Sequence, residues 1–158
     1  MVDLNKLIYW LNRTCCQLDE DICINEGGCC YVAYVIAKLM CKYNIKDYYL
    51  SIINQSPKNS QFLEYNIKNH IKKDINDSLV IKDGTCNHYF ITINDKRING
   101  CGKFWNSKKL YRINLSVEPK DILWIYRNGD WSDVYDKQYN LRVYNNIENV
   151  FKKCQVQK

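Results

Sequence analysis

Proline is almost missing from this 158-residue chain: only Pro57 and Pro119 occur, and no stretch repeats or falls into low complexity. A Pro-rich linker and a repeat array are thereby excluded, which leaves one compact domain over residues 1–158. Long apolar runs are also missing. The most apolar one, Cys29 to Cys41, spans 13 residues and contains Lys38, short of the roughly 18 that a membrane helix needs. "MVDLNKLIYWLNRTCCQLDED" has no basic region ahead of an apolar one, so no signal peptide is expected. The expectation is a soluble, cytoplasmic protein without a membrane partner. Paired C-x₂-C spacing is absent too. Zinc is therefore a poor reading of Cys15, Cys16, Cys23, Cys29, Cys30 and Cys86-Asn-His88, and neither metal nor cofactor is expected.

What is present fits a globular domain. Apolar residues make up 46% and charged residues 25%, and a chain this long buries roughly 70% of its unfolded surface. Nine cysteines, an odd number without a secretion signal, read as reduced thiols. The net charge of +6 is spread along the chain rather than gathered into a block, so nucleic acid is not an expected partner. Richness in Asn, Ile, Lys and Tyr looks like AT-rich coding, as in a low-GC bacterium or its phage; a phage origin would place the protein in host cytoplasm or virion, with phage structural proteins as partners.

Asp3 is positioned to cap a first helix through Leu4, Leu7, Ile8 and Leu11, with a polar loop, "CQLDEDICINEGG", after it. A second helix from Cys29 to about Tyr43 is apolar around most of its circumference and belongs mid-domain. "DYYLSIIN" (47–54) reads as a strand, and Pro57 to Lys73 as a helix with Phe62, Tyr65, Ile67 and Ile71 inward. Short strands follow in "SLVI", "NHYFITIND", "KRINGCG" and "KLYRINLSV", with turn signals such as Asn94-Asp95 between them. Pro119 suits the start of a helix through Ile122, Leu123 and Ile125. A last helix is expected over Leu141 to Lys153. The fold class is α+β, with a core over 24–127 and a C-terminal helical extension over 130–158.

The chemistry starts at "INEGGCC". A thiol at a helix N-terminus is favoured as thiolate by unpaired N–H groups and the macrodipole, so Cys29 is expected to be the most reactive thiol near neutral pH. Between Cys29 and Cys30, the face Val32, Ala33, Ile36 and Ala37 is small or apolar from Cys29, whereas that from Cys30 ends at Lys38. Only two histidines can serve as base. His70 lies among lysines, which disfavour an imidazolium, and His88 opens an alternating strand. His88 is preferred. Asn99, across the Asn94-Asp95 turn, is placed to orient the imidazole.

These residues resemble the papain-like and transglutaminase-like cysteine peptidase superfamily. The resemblance rests on "GGC" entering an apolar helix, a later "HYFITI" strand and Asn-Gly on the strand after it, over Gly27 to Gly102. It implies a papain-like fold, with the nucleophile-bearing helix packed on a small antiparallel sheet, and a thiol protease or amide hydrolase acting on a peptide or protein. Cys29 would attack, His88 would act as general acid and base, and Asn99 would fix the ring. Asn25, Gly28 and Trp105 are the candidates for the oxyanion and substrate sites. Where papain-like enzymes carry an oxyanion glutamine, six residues before the nucleophile, this chain has Cys23. Asn25 or Gln17 is left as second donor, and a catalytically silent fold serving as a structural or interaction protein is the alternative reading.

Overall fold

The computed structural model describes residues 1–25, 28–54, 61, 64–65, 67–69, 88–99, 111–128 and 137–156. The elements among these residues are helices α1 (Leu4–Ile22) and α2 (Cys29–Lys42), strands β1 (Tyr49–Asn54), β2 (His88–Ile93), β3 (Lys96–Ile98) and β4 (Tyr111–Leu115), and helices α3 (Pro119–Asn128) and α4 (Lys137–Lys153). The class is α+β. The sheet is antiparallel with the order β3-β2-β1-β4.

Asp3 caps α1 by accepting the Lys6 N–H at 3.1 Å. The polar loop expected from Cys16 onward is instead two more turns of α1, which runs to Ile22. Acidic Asp19, Glu20 and Asp21 oppose the helix dipole in that last turn. Two interactions hold them there: Asp19 Oδ1 accepts the Asn25 N–H at 2.8 Å, and Arg142 pairs with Asp21 at 3.2 Å. The buried stripe Leu7, Ile8, Leu11, Cys15 and Leu18 extends the expected face along the whole helix.

Helix α2 is buried nearly all round, from Cys29 to Met40, and packs against β2, α3 and α4. A helix of 14 residues is marginal in water, whereas each fully buried aliphatic side chain contributes about 1.5–3 kcal/mol, so packing stabilises α2. It ends in a Schellman turn: Asn44 takes φ 59°, Ile45 donates to Met40 O at 2.8 Å and Asn44 to Cys41 O at 3.0 Å. Asn94 and Asp95, with φ 47° and 57°, form the β2–β3 turn, where both central residues need left-handed backbone.

The sheet face toward α2 carries Leu50, Ile52, Ile91, Ile93, Ile98 and Leu115, which join the main core. Two expectations change here. Tyr65 is 66% exposed rather than inward. Helix α4 begins at Lys137, earlier than Leu141, and is no appendage, because Val143, Ile147, Val150 and Phe151 enter the same core as α2. That core also takes in α1, so it reaches both sides of 24–127. The two ends of the chain are paired: Asp3 donates to Cys154 O at 3.1 Å and Val156 to Met1 O at 2.9 Å. Phe62, Ile71, "SLVI", Gly100 to Gly102 and Trp131 lie outside the described residues.

Candidate active site

Gly28 is the N-cap of α2 and supplies no side-chain cap, so Cys29 opens the helix among backbone N–H groups not claimed by a capping side chain. Its sulfur sits against the start of β2, within reach of the backbone N–H groups of Tyr89, Cys30 and Cys29 itself. The neighbouring thiol takes another direction. Cys30 Sγ is 3.9 Å from Ile122 O and belongs to the core between α2 and α3.

The next residue back along β2 from Tyr89 is His88. Its Nε2 is 2.6 Å from the backbone oxygen of Asn99, just past β3. A carbonyl only accepts, so Nε2 carries the proton and Nδ1 the lone pair. The structure thus brings His88 and Asn99 together through the carbonyl of Asn99, whereas the family pattern uses the asparagine side chain. That side chain turns elsewhere: Asn99 Nδ2 donates to Asn25 Oδ1 at 3.0 Å. Asn99 has φ 62°, a left-handed conformation that asparagine tolerates better than most residues.

The polar chain continues into α1. Asn99 N–H donates to Asn12 Oδ1 at 3.0 Å, and Asn12 Nδ2 donates to Arg97 O at 2.8 Å and Ile8 O at 3.2 Å. Asp19 holds the Asn25 backbone and is the carboxylate felt by both Cys29 and His88. Asn12 and Asp19 were missed from the sequence. Asn12 is one polar residue beside an apolar stripe, and Asp19 read as loop.

Cys29 is 4% exposed and His88 1%. Burial pushes the Cys29 thiol up from 9.0 to about 11, against the lowering effect of the three N–H groups. This corrects the expectation of a thiol activated near neutral pH: desolvation outweighs the helix terminus. Burial also lowers the His88 pKa from 6.5, opposed by its bond to Asn99 and by the Asp19 charge. Each group therefore rests neutral, Cys29 as a thiol and His88 as an imidazole. Brought within hydrogen-bond reach of each other, two such groups transfer the thiol proton to Nδ1 as sulfur forms a bond, with no free thiolate beforehand.

Of the other candidates, Asn25 is half-buried beside Asn99, and with its Oδ1 engaged its Nδ2 is the end able to donate. Gln17 is exposed on α1 and bonds Asp21 at 3.2 Å, away from this cluster. Cys23 is the exposed, left-handed C-cap of α1. Trp105 and His70 lie outside the described residues. Among the described residues, no group of three or more His, Cys, Asp or Glu is placed to hold a metal ion, and no helix is long and apolar enough to cross a membrane.

No family model, curated protein or solved structure matches the chain. The functional reading therefore rests on the residues themselves.

Proposed function

We propose that the chain is a small papain-like cysteine hydrolase that cleaves an amide in a peptide or protein. The observation that carries this reading is the 2.6 Å bond from His88 Nε2 to the Asn99 carbonyl, which leaves Nδ1 as a base on the residue next to the Tyr89 N–H at the Cys29 sulfur. The Cys29 proton passes to His88 Nδ1 as sulfur attacks the carbonyl carbon. The C–N bond then breaks as His88 returns that proton to the leaving nitrogen. Water attacks the thioester, gives its proton to His88, and the C–S bond breaks to restore the thiol. The oxyanion takes the Cys29 N–H at the helix terminus and the Asn25 amide. Asn99 would serve both sides, its carbonyl holding the base and its side chain holding the oxyanion donor.

A catalytically silent papain-like fold with a structural or interaction role is the second reading. The deep burial of both Cys29 and His88 favours it. A peptidyl chloromethyl ketone, which alkylates a thiol placed beside a base, separates the two. The hydrolase reading expects Cys29 to be the residue modified, with the rate falling about 10²-fold or more in His88→Ala. Modification of other thiols alone, or a rate unchanged in His88→Ala, leaves the silent fold.

A further inference from the structure

Along β2, His88, Phe90 and Thr92 alternate with Tyr89, Ile91 and Ile93 and so follow one another on one side of the strand. The His88 ring stacks on Phe90, with centroids 5.8 Å apart and planes at 23°. Two guanidinium groups also meet that phenyl ring, Arg112 from β4 at 5.5 Å and Arg97 from β3 at 5.8 Å.

Arg112 is held in place by neutral groups. Its Nε donates to Asn114 Oδ1 at 2.9 Å and its terminal nitrogen to Thr92 Oγ1 at 3.0 Å. Ser51 closes the ring, 2.8 Å from Thr92 Oγ1 and 2.6 Å from Asn114 Oδ1. Ser51 and Thr92 are buried, so the guanidinium is anchored on a rigid polar base across three strands. None of these partners carries charge. The ion pairs among the described residues involve other cations, and neither Arg97 nor Arg112 has one. Asp95, at the hairpin turn, acts on Arg112 only at a distance, and Arg97 opposes it as a like charge.

Two cations converging on one ring repel each other. The phenyl face offsets part of that repulsion, and an anion bridging the two forks would offset more, since guanidinium pairs bind carboxylates bidentately. We propose that Arg97 and Arg112 form a carboxylate-binding subsite that seats an acidic side chain of the peptide substrate. The proposal rests on the hydrolase reading above and adds the substrate class. The two ring contacts put Arg112 no more than about 11 Å from the imidazole, and an extended peptide rises about 3.3 Å per residue, so the acidic residue lies within about three residues of the scissile bond.

The test uses tetra-alanine chloromethyl ketones with Glu or Gln placed in turn at each position, and reads the rate of Cys29 alkylation by mass spectrometry. At one position Glu should outpace Gln about tenfold. That ratio should fall toward one at high salt and in R97Q/R112Q, and should be partly kept in R97K/R112K, which preserves charge should the double Gln variant fail to fold. A ratio near one at every position, or a preference that survives the neutral double variant, would overturn the subsite. If no reagent alkylates Cys29, the hydrolase reading has failed, and the arginines are judged separately from their Nε–H NMR resonances. A shift with acetyl-Glu-amide and none with acetyl-Gln-amide keeps the carboxylate site. No shift, or a stronger response to inorganic phosphate, removes it.

Discussion

Ionising Cys29 is the perturbation that most directly tests how its site rests. Burial raises the thiol from 9.0 to about 11, and each pKa unit is about 1.4 kcal/mol, so reaching the free thiolate at pH 7 costs on the order of 5 kcal/mol. Only about one molecule in 10⁴ carries the thiolate at that pH. Iodoacetamide reacts with thiolate and needs no base. Its rate at each cysteine, followed by peptide-resolved mass spectrometry from about pH 6 to about pH 11, therefore reports the charge state. Exposed Cys16, Cys23 and Cys41 should be labelled before Cys29 at neutral pH. The Cys29 rate should climb about tenfold per pH unit with no plateau below about 11. His88→Ala should leave this profile nearly in place, because a neutral imidazole does not hold the thiol as an anion. A Cys29 plateau at or below neutral pH, lost in His88→Ala, would refute the neutral pair and restore a thiolate–imidazolium ion pair.

Further outcomes follow from the same physics. Cys15, raised to about 12, Cys29, raised to about 11, and Cys30, raised well above 9.0, are buried as neutral thiols. The unfolded chain loses those protons first, so stability present below pH 9 should fall as pH rises through about 9–12, read as a declining Tm. His88 works at the other end: its lowered pKa means that the unfolded chain gains a proton first, so stability should also fall as pH drops below 6.5. Asn99→Gly should keep the slowly exchanging Nε2 proton of His88 in NMR spectra, because the carbonyl and the positive φ persist, whereas Asn99→Ala strains that φ by about 1 kcal/mol. Asn12→Ala leaves the Asn99 N–H and Arg97 O without their partner and should cost about 1–3 kcal/mol in urea unfolding. Phe151→Ala, in a side chain stacked 5.3 Å from Tyr43, should cost about 3–5 kcal/mol, against about 0.5 kcal/mol or less for a peripheral helix.

The parts of the fold set by local physics were legible. Asp3 as N-cap, the all-round apolar α2, Pro119 at the start of α3 and the Asn94-Asp95 turn each follow from one residue type in one backbone role. The misreadings came where distant groups overrule local preference. Asp19 to Asp21 look like loop because acidic residues oppose a helix C-terminus, and partners such as the Asn25 N–H and the distant Arg142 make them tolerable. The candidate site divides in the same way. The pairing of His88 with Asn99 was visible in the hairpin spacing, but sequence could not say that the carbonyl rather than the amide would meet the ring. That depends on the left-handed turn of Asn99, fixed by Asn12 and Asn25.

The bond from Asn99 to Asn12 joins positions 87 residues apart. At roughly 5–20 residues per second, a ribosome would deliver the first helix and the Cys29 thiol several seconds before the imidazole and the carbonyl that holds it. If the chain is the hydrolase proposed above, it gains its general base only when the later strands arrive, so hydrolysis would wait on strand pairing.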